Sequence, residues 1–239
     1  MPIPSVGRIV GKIKKCLHGA ILSGQLEPHA TEELRGSRAL RKLLKDFEFD
    51  SVLDIGGGAG KHAEEFLKLG KDVTVIDYGK SVYFQQKAEE VNAIVADFNT
   101  YDFGRQFDCV WCSHCLEHQL NVQGFLEKIN SIIRGGGILA IVVPPLKHEV
   151  VGGHVNLFNA GLLLYRLVLA GFDCREASVL TYGYNICVIV RKKKIDVLGS
   201  LAYDSGDLKL LRQYFPEGLE YYENARDIPF EGRIHEINW

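Results

Sequence analysis

The sequence predicts an α/β protein built on one doubly wound, seven-stranded sheet, with helices before it and an extension after it. Short apolar runs alternate with amphipathic stretches through the middle of the chain, which is the pattern of parallel strands covered by helices on both faces. Val52–Ile55 runs directly into the glycines of positions 56–60 and then into a helix-like stretch. Near the end, Cys174–Tyr182 and Tyr184–Val190 flank Gly183 as a closing hairpin. With 239 residues and 46% hydrophobic content, the chain can bury a substantial core in a single unit. The expected organisation is a helical cap over 1–45, the sheet domain over 46–194 and an extension over 195–239.

In chain order, Ile9, Ile13, Leu17 and Ile21 mark one helical face, and Arg8, Lys12, Lys14 and Lys15 make the same segment basic. Such a helix caps a sheet, or associates weakly with a membrane surface. Leu40, Leu43, Leu44 and Phe47 give the helix 38–47 that enters the first strand. After that strand come a helix over Lys61–Leu69, a second strand over Asp72–Asp77, a third over Ala93–Phe98 and a fourth from Phe107. Gly135-Gly136-Gly137 stops a helix and feeds the fifth strand, Ile138–Val143. A loop with Gly152, Gly153, His154 and Asn159 leads to the helix Ala160–Ala170, and Lys192-Lys193-Lys194 follows the hairpin. In the extension, Leu208, Leu211 and Phe215 support a helix ending at Pro216. Tyr221, Tyr222, Phe230 and Trp239 make this tail too aromatic for free disorder, so it is expected to cover the carboxyl edge of the sheet or a second subunit of a homodimer.

The strand–glycine–helix unit is where chemistry enters. Glycine adopts positive φ without cost, and its missing Cβ lets a ligand lie against the main chain. A dinucleotide fingerprint requires glycine or alanine where Lys61 stands, and a phosphate-cradling P-loop requires glycine at Ile55 and Ser or Thr at His62. What remains is Asp54-x-Gly56-x-Gly58-x-Gly60. The second strand ends in Asp77 and Tyr78, the third in Asp97 and Phe98, and the fourth runs Phe107-Asp108-Cys109-Val110-Trp111-Cys112-Ser113-His114-Cys115-Leu116-Glu117-His118. These segments, in this order, together with the fifth strand and its Pro144-Pro145, resemble the class I S-adenosylmethionine-dependent methyltransferases of the ubiquinone/menaquinone-type branch, over about residues 45–193. The resemblance implies a Rossmann-like fold and S-adenosylmethionine as cofactor. It assigns cofactor contacts to Asp54, Gly56, Gly58, Gly60 and Ser113, the ribose hydroxyls to Asp77, an adenine face to Tyr78, and the adenine amino group and ring to Asp97 and Phe98.

Cys109-x-x-Cys112-x-x-Cys115, with two histidines beside it, has metal-ligand spacing. Residues three apart on a strand point to opposite faces, however, so the run is expected to be buried thiols. With no Asp-Asp or Asp-Asn pair after the fourth strand, the sequence predicts no metal. Methyl transfer needs the acceptor held in line, and a base only for a poor nucleophile such as a hydroxyl. Histidine suits that task at neutral pH. His154, in a glycine loop at the carboxyl edge, ranks first as the catalytic group and His118, expected in the helix after the fourth strand, second. His62 and His114 are expected to pack against the cofactor or the strand end.

A net charge of -2 gives no general attraction to nucleic acid. Six cysteines without framework spacing, no secretory signal and no membrane-spanning run predict a cytoplasmic protein with free thiols. The stretch from His154 to Arg191 is similar to methyltransferases of surface-glycan assembly, which makes a sugar hydroxyl the first expected acceptor and a quinone-like ring or other small molecule the second. A cofactor-binding regulatory or scaffold subunit without catalysis is the alternative of a different class.

Overall fold

The computed structural model describes residues 34–239 apart from 88, 90, 197 and 223–226. The basic segment Arg8–Ile21 lies outside them. Helix α1 (Ser37–Asp46) precedes β1 (Ser51–Ile55), α2 (Lys61–Lys68), β2 (Asp72–Asp77), β3 (Ala93–Val95) and β4 (Phe107–Ser113). Then come α3 (Val122–Ile132), β5 (Ile133–Val143), α4 (Ala160–Leu169), β6 (Ser178–Tyr182), β7 (Asn185–Arg191), α5 (Asp207–Leu211) and β8 (Glu236–Ile237). They form an eight-stranded sheet in the order β3-β2-β1-β4-β5-β7-β6-β8. The first five strands are parallel, β7 is antiparallel to β5 and β6, and β8 is antiparallel to β6. The order reverses between β1 and β4, so their carboxyl ends flank the crevice in which such sheets bind ligands.

Strand alternation divides the core in two. Val52, Cys109, Trp111, Ala140, Val142 and Cys187 face α1 and Phe66 of α2, whereas Leu53, Val110, Cys112, Leu139, Ile141 and Val188 face α3 and α4. Continuous apolar runs such as Gly137–Val143 thus serve both faces of a central strand.

Four expectations need correction. The sheet has eight strands because the chain end adds β8. The glycines at 135–137 do not stop a helix ahead of the strand; α3 ends at Ile132 and they lie within β5. Phe107 pairs with Ile133 but Cys109 with Ile138, so β5 carries extra residues in an irregularity, and Gly136 takes φ 74° there. β3 ends at Val95, since the Asp97 carboxylate accepts a bond from the Asn99 amide at 2.8 Å and turns the chain. The tail, expected over the carboxyl edge or a partner, seals the β6 side of the sheet. Leu211, Phe215 and Ile234 join the core under α4, β8 covers β6, and Trp239 reaches the α1 face. Gly161 and Gly232 allow the tail to cross the start of α4, where a Cβ on Gly161 would lie 2.7 Å from the Gly232 Cα. Covering β6 this way limits an exposed sheet edge.

Candidate active site

The glycine loop links β1 to α2 with Gly56, Gly58 and Gly60 all at positive φ, 71°, 51° and 79°. A Cβ at Gly56 would meet Cys115 Sγ at 2.9 Å, and one at Gly60 would meet Val91 Cγ2 at 3.0 Å. Those two glycines are required for packing. At Gly58 the nearest atom to a Cβ is Tyr83 Cβ at 3.4 Å, so this position borders open space. The Asp77 carboxylate at the end of β2 fastens the loop, accepting from the Gly58 amide at 3.0 Å and the Gly79 amide at 2.8 Å. A carboxylate has about four lone-pair sites, which leaves capacity for further donors.

Around this loop, Tyr78 is half-exposed at the end of β2, with its hydroxyl close to the Asp97 carboxylate. Desolvation raises the Asp97 pKa, but the bonds from Asn99 and the nearby Tyr78 hydroxyl outweigh it and hold the carboxyl below the usual range. Phe98 is a correction: 5% exposed, with its ring 4.9 Å from that of Phe125, it belongs to the core rather than to an adenine face. The side chain turns inward because β3 stops before it. Ser113 ends β4 with a buried hydroxyl that has no hydrogen-bond partner among the described residues.

Asp54 lies beneath the loop, 1% exposed, with no hydrogen-bond partner for Oδ2 among the described residues. Burial, followed by the charge of Asp77, pushes its pKa from 3.8 up to about 7. Between those two values the folded protein holds a proton that the unfolded chain has released, so stability falls as pH rises from about 4 to 7 and levels off above. The separation corresponds to about 4 kcal/mol. Burial lowers the His62 pKa to about 4, which makes stability rise with pH over the same interval, so the Asp54 contribution is read against Asp54→Asn. Chemical denaturation of both proteins, free of cofactor, at pH 5 and pH 8 should show wild type losing more stability, or gaining less, than the variant over that interval; an equal change in both would place the titration elsewhere.

Beyond β4 the chain forms a 3-10 turn, Leu116–His118, and α3 starts only at Val122, where Asn121 Oδ1 caps the Gly124 amide at 3.0 Å. His118 is therefore on a tight turn and not on the helix expected for it. The backbone carbonyl of Glu117 accepts from the amides of Val155 and Asn156 at 3.0 and 3.1 Å, and Asn156 Nδ2 donates to the Gln119 carbonyl at 2.6 Å. These bonds fasten the glycine loop after β5 to the turn after β4 and bring His154 to His118, with ring centroids 5.0 Å apart. Glu117, which both histidines approach, is marked by no local sequence signal. Glu117 is fully buried, and neither carboxylate oxygen has a hydrogen-bond partner among the described residues. Oε1 lies 3.7 Å from His118 Nε2 and 3.5 Å from His114 Nδ1.

His114 follows the end of β4, and His62 lies in the first turn of α2 against that strand. His114 takes φ 52° and donates from Nε2 to Asn185 Oδ1 at 3.0 Å. His62 packs on Trp111 and donates to the Arg35 carbonyl, and burial pushes its pKa down to about 4. A second feature invisible in the sequence is the crossing of Arg35-Gly36 over these ends. The Gly36 amide donates to Asn185 Oδ1 at 3.0 Å, and a Cβ there would meet Val142 Cγ2 at 3.0 Å. Beyond it, the Arg35 guanidinium and Lys147 Nζ lie 5.8 and 4.6 Å from the Tyr184 ring centroid. The cysteine run is split as strand geometry requires, with Cys109 and Cys112 in the cores on opposite faces of the sheet.

A parallel sheet with a glycine cradle at its switch point and acidic ends on β2 and after β3 defines an α/β protein built for an adenosine-containing cofactor. Residues 28–176 match a family model described as a methyltransferase domain. That is more than half of the chain, which belongs to this family. Among curated proteins it is similar to malonyl-[acyl-carrier protein] O-methyltransferase of Salmonella typhimurium, 26% identical over 49% of this chain and 48% of the relative. It is also similar to the ubiquinone biosynthesis O-methyltransferase of Methylocella silvestris, 30% identical over 37% of each. The chain thus spans no more than about half the length of these relatives. Among solved structures, the 1,6-didemethyltoxoflavin-N1-methyltransferase of Burkholderia thailandensis, with S-adenosylhomocysteine bound, shares the fold at a TM-score of 0.55 and 20% identity, over 81% of this chain and 93% of that one. A methyltransferase of Archaeoglobus fulgidus does so at 0.57 and 16%, over 65% and 92%.

Proposed function

We propose that the protein is an S-adenosylmethionine-dependent methyltransferase that methylates a hydroxyl of a sugar or surface-glycan intermediate. The observation that carries the cofactor assignment is the cradle: a loop fastened to Asp77 whose central glycine borders open space, beside the unpartnered Ser113 hydroxyl. These residues fit an adenosine and a methionine moiety. Asp77 would accept from the ribose hydroxyls, Tyr78 and Asp97 would border the adenine, and Gly56–Gly60 would lie along the chain of the methionine. When bound, the cofactor supplies an electrophilic sulfonium methyl group. The polypeptide holds the acceptor in line and keeps water from it. His154 and His118, oriented by Glu117, hold the acceptor hydroxyl and take its proton.

The acceptor side favours a polar substrate. Arg35, Lys147 and three histidines line it, a surface better matched to a hydroxylated or anionic acceptor than to an apolar ring. The curated relatives named as O-methyltransferases support an oxygen acceptor. Methylation of a quinone-like small molecule is the second reading, favoured by the similarity to the ubiquinone enzymes. No helix among the described residues is long and apolar enough to cross a membrane, and the free buried cysteines accord with a cytoplasmic setting. Incubation with labelled S-adenosylmethionine and either glycan or quinone acceptors, followed by mass spectrometry, separates these readings. Labelled sugar is the expected product, and cofactor binding without any product would favour a regulatory subunit.

Asp77 gives a direct test of cofactor binding. Removing an acceptor for two hydroxyls costs about 1.5–3 kcal/mol, roughly ten- to a hundredfold in affinity. Calorimetry with S-adenosylhomocysteine should show at least this loss in Asp77→Ala, because the Gly58 amide is released as well. Equal affinity in variant and wild type would reject the assignment.

A further inference from the structure

We propose that Glu117, His118 and His154 bind a divalent metal ion on the acceptor side of the cradle. One ligand atom from each of the three residues lies within 4.8 Å of the other two. Ligand atoms around an ion at about 2.1 Å stand about 3.4 Å apart in a tetrahedral site, so small side-chain rotations close the group on one ion.

The proton inventory argues for a cation there. His118 Nδ1 is 2.7 Å from the Gly153 carbonyl oxygen. A carbonyl only accepts, so Nδ1 carries a hydrogen, and in the neutral tautomer the Nε2 lone pair faces Glu117 Oε1, 3.7 Å away. His114 repeats the arrangement. The Gly36 amide fixes the oxygen of the Asn185 amide, His114 Nε2 donates to that oxygen, and in the neutral tautomer Nδ1 is an acceptor 3.5 Å from the same Oε1. In these tautomers two imidazole nitrogens face a carboxylate that is fully buried and lacks a hydrogen-bond donor among the described residues. Buried acceptors facing each other are costly unless a proton or a metal cation lies between them, and the three groups converge closely enough for a metal ion. A ring nitrogen bonded to a backbone carbonyl while the other faces the ion is also the usual outer-shell support of a ligating histidine.

Two imidazoles and one carboxylate leave coordination positions open and suit a Zn2+- or Mn2+-type ion. An acceptor hydroxyl taking an open position would be held near the methyl group and would ionise more readily; with the ion bound the two histidines act as its ligands, and the ion takes over the activation of the hydroxyl that the function proposed above gives to them. This role rests on that reading; the binding of the ion does not. The sequence predicted no metal because it weighed the cysteines and the acidic pairs, and the ligands come from two loops about forty residues apart.

The test is titration of the full chain with Mn2+, followed by electron paramagnetic resonance, and with Zn2+, followed by calorimetry. Wild type should bind one ion per chain. Glu117→Gln should weaken binding about a hundredfold and His154→Ala at least about tenfold. His154 is on a surface loop, so its variant keeps the test valid should Glu117→Gln fold poorly. S-adenosylhomocysteine affinity, measured in parallel, should remain near the wild-type value in both variants. Absence of a one-to-one site for both ions, or binding unaltered in both variants, overturns the metal site. Ion binding without S-adenosylhomocysteine binding leaves the site standing and overturns the cofactor reading instead.

Discussion

Gly58→Val should reduce S-adenosylhomocysteine affinity by at least about a hundredfold while lowering stability by only about 1–2 kcal/mol. The stability cost comes from holding a β-branched residue at φ 51°, a left-handed conformation disfavoured by about that amount. There is little steric cost within the protein, because the nearest neighbour of the new Cβ is Tyr83 Cβ at 3.4 Å. The side chain must instead point into the cradle, where the cofactor would lie. Gly57→Val is the contrasting variant. Its Cβ would approach Val75 Cγ1 to 2.5 Å, so the damage falls on the β1–β2 packing and the stability loss should be the larger of the two. Calorimetric titration and urea denaturation of both variants provide the comparison. Normal binding by Gly58→Val would reduce the loop to a structural turn.

His154→Ala should lower turnover about a hundredfold or more while S-adenosylhomocysteine affinity changes little. His118→Ala should have an effect of the same order. The sequence ranked these two histidines as alternatives, but the structure joins them. Both approach Glu117, and the His118 Nδ1 bond to the Gly153 carbonyl links the turn directly to the loop that carries His154. They act as a unit, so the double variant should lose little more than either single one. Single-turnover assays with the acceptor identified by labelling measure this. Full activity in both variants would mean that proximity alone suffices and that the acceptor is a better nucleophile than a hydroxyl.

The glycine loop and the acids beside it were legible as structure because their signals are local. Strand, glycines and helix are contiguous in 51–68, and Asp77 follows its own strand directly. Asp97 was equally visible, but its neighbour Phe98 was misassigned. Whether an aromatic ring after a strand faces a ligand or the core depends on where the strand stops, and the Asp97–Asn99 turn stops β3 early. The glycines at 135–137 misled for a related reason. A helix stop and a strand irregularity both favour glycine, and the pairing with Phe107 and Cys109 chooses between them.

The acceptor side was scarcely legible, because nothing in the spacing of Glu117 and His154 brings them together. Their juxtaposition depends on hydrogen bonds between two loops, and the burial of Glu117 depends on what those loops cover. No local signal marks Gly36 or the tail glycine Gly232, because the need for glycine at each comes from distant chain segments packed against it. By itself the sequence determined the alternation of strands and helices, the parallel sheet, the glycine cradle and the acids that end β2 and follow β3, all of which arise from periodicity and backbone chemistry within about twenty residues. Only the tertiary structure decided the eighth strand, the burial of Phe98 and the cluster around Glu117, since each depends on which remote surfaces meet and exclude water.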